Sequence, residues 1–175
     1  MPSKAYGKAI AQMREFHATR KTFSGNGVLK HLGALVKFSA EIGAASGLDY
    51  GCGKGAQYGD EDAMLVNRLG YDPYKYDPGV PGFENLPPDD QQFDLVWCVD
   101  VLECVPEQDM DWVIAEFAGY AKKGIFVTVA SYPAKKTLPN GKNAHITVKP
   151  PEWWHAHFAA LQAARPDLKI KLLVA

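Results

Sequence analysis

The chain has 175 residues, of which 47% are hydrophobic and 22% charged, and its net charge at pH 7 is −1. That length and balance fit one globular domain and exclude a disordered or fibrous chain. No apolar run approaches the ~20 residues that span a bilayer, and Met1-Pro2-Ser3-Lys4-Ala5-Tyr6 lacks a hydrophobic signal core, so a cytoplasmic protein without membrane contact is expected.

Residues 3–20 read as a helix with Ala9, Met13, Phe16 and His17 on one face, and 28–42 as a second with Leu29, Leu32, Leu35, Val36 and Phe38 as its apolar stripe. Phe23-Ser24-Gly25-Asn26-Gly27 breaks the two. A short strand ends at Leu48-Asp49-Tyr50, and a glycine-rich turn leads into a helix from about 55 to 69. Gly70-Tyr71-Asp72-Pro73 reads as a second strand and its exit. Phe93–Val99 and Gly124–Ala130 are continuous apolar runs, the mark of buried parallel strands. A helix spans 109–121 between them. Pro150-Pro151-Glu152 opens another helix to about 164, and 168–174 is a closing strand. Alternating strands and helices predict a mostly parallel sheet with helices on both faces, whose ligands lie beyond the carboxyl ends of the strands.

The turn Gly51-Cys52-Gly53-Lys54-Gly55 allows sharp bending and close approach of a ligand to the main chain. Asp72, 23 positions after Asp49, is placed to accept hydrogen bonds from a ribose diol. Turn and acid together indicate a bound nucleoside. Gly51, Gly53 and Ala56 also fit the G-x-G-x-x-A pattern of dinucleotide sites. Asp49 would repel a pyrophosphate but suit an ammonium group, which favours S-adenosylmethionine over NAD.

These residues resemble the class I S-adenosylmethionine-dependent methyltransferase family. Asp49–Gly55 is similar to its D-x-G-x-G-x-G signature, Asp72 to the acid ending its second strand, and Phe93–Glu103 to its F-D-L-V-x-x-x-x-V-L-E segment. Lys136–His145 followed by Pro150-Pro151-Glu152-Trp153-Trp154 resembles stretches of bacterial and phage methyltransferase-like proteins. The resemblance implies a three-layer α/β sandwich with a reduced, Rossmann-like sheet of about five strands behind two N-terminal helices. Residues 1–44 form a helical cap, 45–131 the cofactor-binding core, 132–150 a substrate loop or hairpin, and 151–175 a closing helix and strand. It implies cofactor contacts from Asp49, Tyr50, Gly51, Gly53, Asp72, Pro73, Leu86, Cys98, Val99 and Asp100, with residues 83–86 closing over the adenine. Only 21 positions separate Asp72 from Phe93, too few for the family's usual helix and outer strand.

The segment after Ala130 lies where this fold contacts its substrate. Asn140-Gly141 signals a hairpin turn, and 138–148 is expected to act as a lid. Ser131, Lys135, Lys136 and Asn143 are candidate acceptor contacts, and Tyr132 and His145 candidate catalytic groups. Residues 1–40 carry seven basic side chains against Glu15 alone, and 132–151 carry four lysines against none before Glu152. Two basic segments thus flank a site for an anionic acceptor, a nucleic acid among the options. The N-P-P-Y and D-P-P-Y tetrapeptides of amino-directed DNA methyltransferases are absent after Cys98. Cys52, Cys98 and Cys104 are odd in number and form no C-x-x-C pair, so no metal site or disulfide is expected. Methyl transfer to an oxygen or nitrogen is the leading expectation. A nicotinamide-dependent oxidoreductase and a non-catalytic module that only holds the cofactor are the alternatives.

Overall fold

A computed structural model describes residues 1–19, 27–59 and 64–175. The expected break at 23–26 and the middle of the expected 55–69 helix lie outside the described residues.

Helix α1 spans Lys4–Thr19. Ser3 caps it, its hydroxyl accepting from the Ala5 and Tyr6 amides at 3.1 and 3.3 Å. A 3-10 turn, Gly27–His31, leads into α2, Leu32–Glu41. The strands are β1 Gly47–Tyr50, β2 Tyr74–Tyr76, β3 Phe93–Val99, β4 Ala121–Val129 and β5 Lys169–Val174. Helix α3, Met64–Leu69, precedes β2; α4, Met110–Gly119, precedes β4; α5, Pro151–Ala164, precedes β5. All neighbouring strands pair in parallel, in the order β2-β1-β3-β4-β5. The chain is therefore an α/β protein with a five-stranded, all-parallel, Rossmann-like sheet.

Alternation along the strands builds two cores. Leu48, Tyr50, Val96, Cys98, Ile125 and Val127 face α4 and α5, where Phe117, Trp154 and Phe158 fill the space. Leu95, Trp97, Val99 and Phe126 face the opposite layer with Leu35 and Phe38 of α2 and Leu65 of α3. A third, small cluster joins Phe16 of α1 to Leu138 and Ala144 of the 131–149 loop.

Two elements differ from expectation. The second strand starts at Tyr74, because Leu48, Asp49 and Tyr50 pair with Tyr74, Lys75 and Tyr76. The fourth begins at Ala121, not Gly124, since Ala121 pairs with Phe93 across a register shift between Phe93 and Leu95. Of the two forms expected at 138–148, a hairpin or an ordered loop, the segment takes the loop, with one antiparallel bridge, Thr137 to Asn143, and no ladder. None of the described helices is long and apolar enough to cross a membrane.

Candidate functional site at the carboxyl edge of the sheet

The strand order reverses between β1 and β3, so a crevice opens at their carboxyl ends. The glycine bend sits there. Gly51, Gly53 and Gly55 have φ of 91°, 59° and 67°, in the left-handed region. A Cβ on Gly51 would lie 2.2 Å from Cγ2 of Val101, and one on Gly55 would lie 3.0 Å from the Phe83 ring. The Gly51 and Cys52 amides donate to the Tyr76 carbonyl at 2.7 and 3.0 Å, tying the bend to the end of β2.

The acid at that end is Asp77, not Asp72. Tyr-Asp-Pro occurs twice, at 71–73 and 76–78, and β2 lies between the copies. Asp72 and Pro73 precede the strand, and the Asp72 carboxylate is exposed and paired with Lys75 at 2.7 Å. Asp77 accepts from the Gly53 amide at 2.9 Å through one oxygen and from the Gly79 amide at 2.8 Å through the other. Burial pushes its carboxyl up, opposed by those amide bonds and by His17 of α1. Burial in turn lowers His17, which Asp77 opposes. Helix α1 thus covers the β2 end of the crevice, and the Arg14 guanidinium donates to the Pro78 carbonyl at 3.0 Å.

Asp49 is 3% exposed and points away from Leu48 and Tyr50. It accepts from the Tyr58 hydroxyl at 2.6 Å and the Gln57 amide at 3.3 Å. Burial raises its carboxyl to about 6 against those two bonds. Gln57 Oε1 is buried beside it without a partner among the described residues. Two adjoining acceptors of this kind suit a cationic donor.

Several assigned side chains lie elsewhere. The Tyr50 ring packs between Tyr76 and Phe117 at 4.9 and 5.5 Å and its hydroxyl donates to Glu116, so it belongs to the core. Cys98 is fully buried in the same core. Leu86 lines a shallow cavity with Asp89, Glu116 and Tyr120 at the opposite edge of the sheet. Of residues 83–86, Phe83 is the one whose ring meets the glycine bend. Val99 is buried against the α2 layer. Asp100 is exposed at the β3 exit with φ 55°, and its carboxylate accepts from the Thr128 hydroxyl at 2.7 Å.

The loop after β4 packs on α1 through Phe16, Leu138 and Ala144, and the Asn140 amide donates to Gln12 at 2.9 Å. Asn143 is its internal clamp. Its side-chain oxygen accepts from the amides of Ala134 and His145, and its nitrogen donates to the Ala134 carbonyl, all within 2.9 Å. That leaves its amide engaged inside the loop. The Ser131 hydroxyl is likewise turned to the Ala175 carbonyl. Lys135 and Lys136 are exposed, and Tyr132 is 55% exposed.

His145 Nδ1 lies 2.7 Å from the Tyr132 carbonyl, which makes it the protonated nitrogen of the neutral ring. Nε2 then faces Glu103, 3.9 Å from Oε1. Glu103 is fully buried in the turn after β3. Oε1 accepts from the Ala130 amide at 3.2 Å, while Oε2 has no partner among the described residues. Burial pushes this carboxyl up to about 8, Asp100 adds to the rise, and the Ala130 bond opposes it. Its only trace in the sequence is its place in Val101-Leu102-Glu103.

Comparison of the chain with protein-family models, curated proteins and solved structures found no match.

Proposed function

We propose that the chain is an S-adenosylmethionine-dependent methyltransferase acting on an acceptor that enters beside the 131–149 loop. The observation that carries this reading is the Asp77 carboxylate, held 2.9 Å from the Gly53 amide at the end of β2. A carboxylate in that position would accept hydrogen bonds from sugar hydroxyls of a ligand lying beside the glycine bend. Asp49 and the unpartnered Gln57 Oε1 supply buried acceptors for the amino group of the methionine end. Phe83, over Gly55, supplies an apolar face for the base.

The bound sulfonium would provide an already activated methyl group. The chain's part is then to hold cofactor and acceptor in line and exclude water, which supplies much of the rate. Helix α1 and the loop packed on it through Phe16 are the elements that cover the crevice.

Calorimetry with S-adenosylhomocysteine tests the reading. The wild-type chain should bind it, and Asp77→Ala should weaken binding about 10- to 100-fold, the value of one or two hydrogen bonds to a charged group. Asp72→Ala, which removes only a surface ion pair, should leave binding within about twofold. Binding of NAD in place of S-adenosylhomocysteine would transfer the site to the oxidoreductase reading.

A further inference from the structure

Glu103 is a buried carboxyl on this edge that the cofactor reading leaves without work. It is fully shielded, one oxygen is held by the Ala130 amide, and the other has no partner among the described residues. Leaving a buried carboxyl oxygen unpaired costs stability. His145 stands beside it with Nδ1 engaged by the Tyr132 carbonyl, so its free lone pair is on Nε2, 3.9 Å from the carboxyl. Among the described residues, the other titratable groups that act on Glu103 or feel it are Asp100, Cys98 and Cys104. None of these is a cation.

We infer that His145 and Glu103 form a proton-accepting pair for an acceptor hydroxyl, with His145 the catalytic base and Glu103 its positioning partner. This rests on the methyltransferase reading and narrows its acceptor to a hydroxyl, phenolic or alcoholic. The acceptor oxygen forms the new bond to the methyl carbon as the methyl–sulfur bond breaks with its electron pair on sulfur. The O–H proton passes to Nε2, and above about pH 8, where Glu103 is ionised, its carboxylate stabilises the imidazolium. A carboxylate acceptor has no proton to lose. A neutral amine can shed its proton after transfer and needs no base. A hydroxyl at neutral pH needs one.

The test is NMR on the full-length chain, free of cofactor. The His145 ring signals should move near pH 8, as the neighbouring Glu103 carboxyl, raised there by burial, loses its proton. Glu103→Gln, which keeps the shape, should abolish that response. The Ala130 amide, which donates to Glu103, should report the same midpoint, and His145→Ala should move it. In the S-adenosylhomocysteine complex, phenol should perturb the His145 ring and benzoate should not. No His145 response near pH 8, a response that persists in Glu103→Gln, an Ala130 midpoint unmoved in His145→Ala, or a response to benzoate but not phenol would each overturn the pair. Because the titrations use the free protein, they stand apart from a failure of S-adenosylhomocysteine to bind, which would instead sink the underlying reading.

Discussion

Asp49 and Glu103 hold protons in the folded chain that the unfolded chain releases. Their carboxyls are raised by burial to about 6 and about 8, against ordinary values of 3.8 and 4.5. Where the folded state binds more protons, stability falls as pH rises. The conformational stability should therefore decline from about pH 4 to pH 8, by on the order of a few kcal/mol. Asp49 governs the lower part of that window and Glu103 the upper. Urea denaturation at pH 5, 6.5 and 8 checks this, and Glu103→Gln should flatten the fall between 6.5 and 8. A midpoint that rises with pH would contradict it. At this scale the sequence was legible only in part. The glycines and Asp49 stand at the bend as expected, because their spacing is set by the backbone itself. Two identical Tyr-Asp-Pro triplets lie five residues apart, and only the pairing of β2 with β1 decides which one ends the strand. Glu103 carries no sign of its burial, since an acid after an apolar strand is ordinarily solvated.

Among the elements, the bend from Gly51 to Gly55 is the most constrained. Gly51 combines φ of 91° with Val101 at 2.2 Å from any added Cβ, so both backbone and packing demand glycine. Gly51→Ala should cost about 2–5 kcal/mol, from left-handed strain together with overpacking. Adding Val101→Ala should recover the packing share and leave about 1–3 kcal/mol of strain. Urea midpoints of the single and double variants measure this; full recovery in the double would mean that strain is unimportant. Strands β3 and β4 were legible because a strand covered on both faces needs apolar side chains at nearly every position, as Leu95–Val99 and, but for Thr128, Ile125–Val129 show. The 131–149 loop was not. Asn140-Gly141 does turn the chain, but Asn143 clamps the loop internally and Leu138 is drawn onto Phe16 instead of into a ladder.

Over the whole molecule, the N-terminal helix and the loop near residue 140 make one cover. Phe16 is 2% exposed at their contact. Phe16→Ala should cost about 3 kcal/mol, and limited proteolysis should cut the 131–149 loop faster while the strands stay protected. Equal cleavage in both proteins would show that the loop holds its place without α1. The layers themselves followed from the alternation of strand and helix. The meeting of α1 with the loop did not, because no periodicity encodes which surface element lies over which crevice.

The first turn of the chain is fastened to residues made much later. The Ser3 amide and hydroxyl both donate to Asp109, 106 positions on, each at 2.7 Å, and Gln12 receives the Asn140 amide from 128 positions away. During synthesis α1 therefore leaves the ribosome long before its anchors exist. It must wait undocked while β1 to β4 are made, and its contact with the loop forms only after residue 140 has emerged.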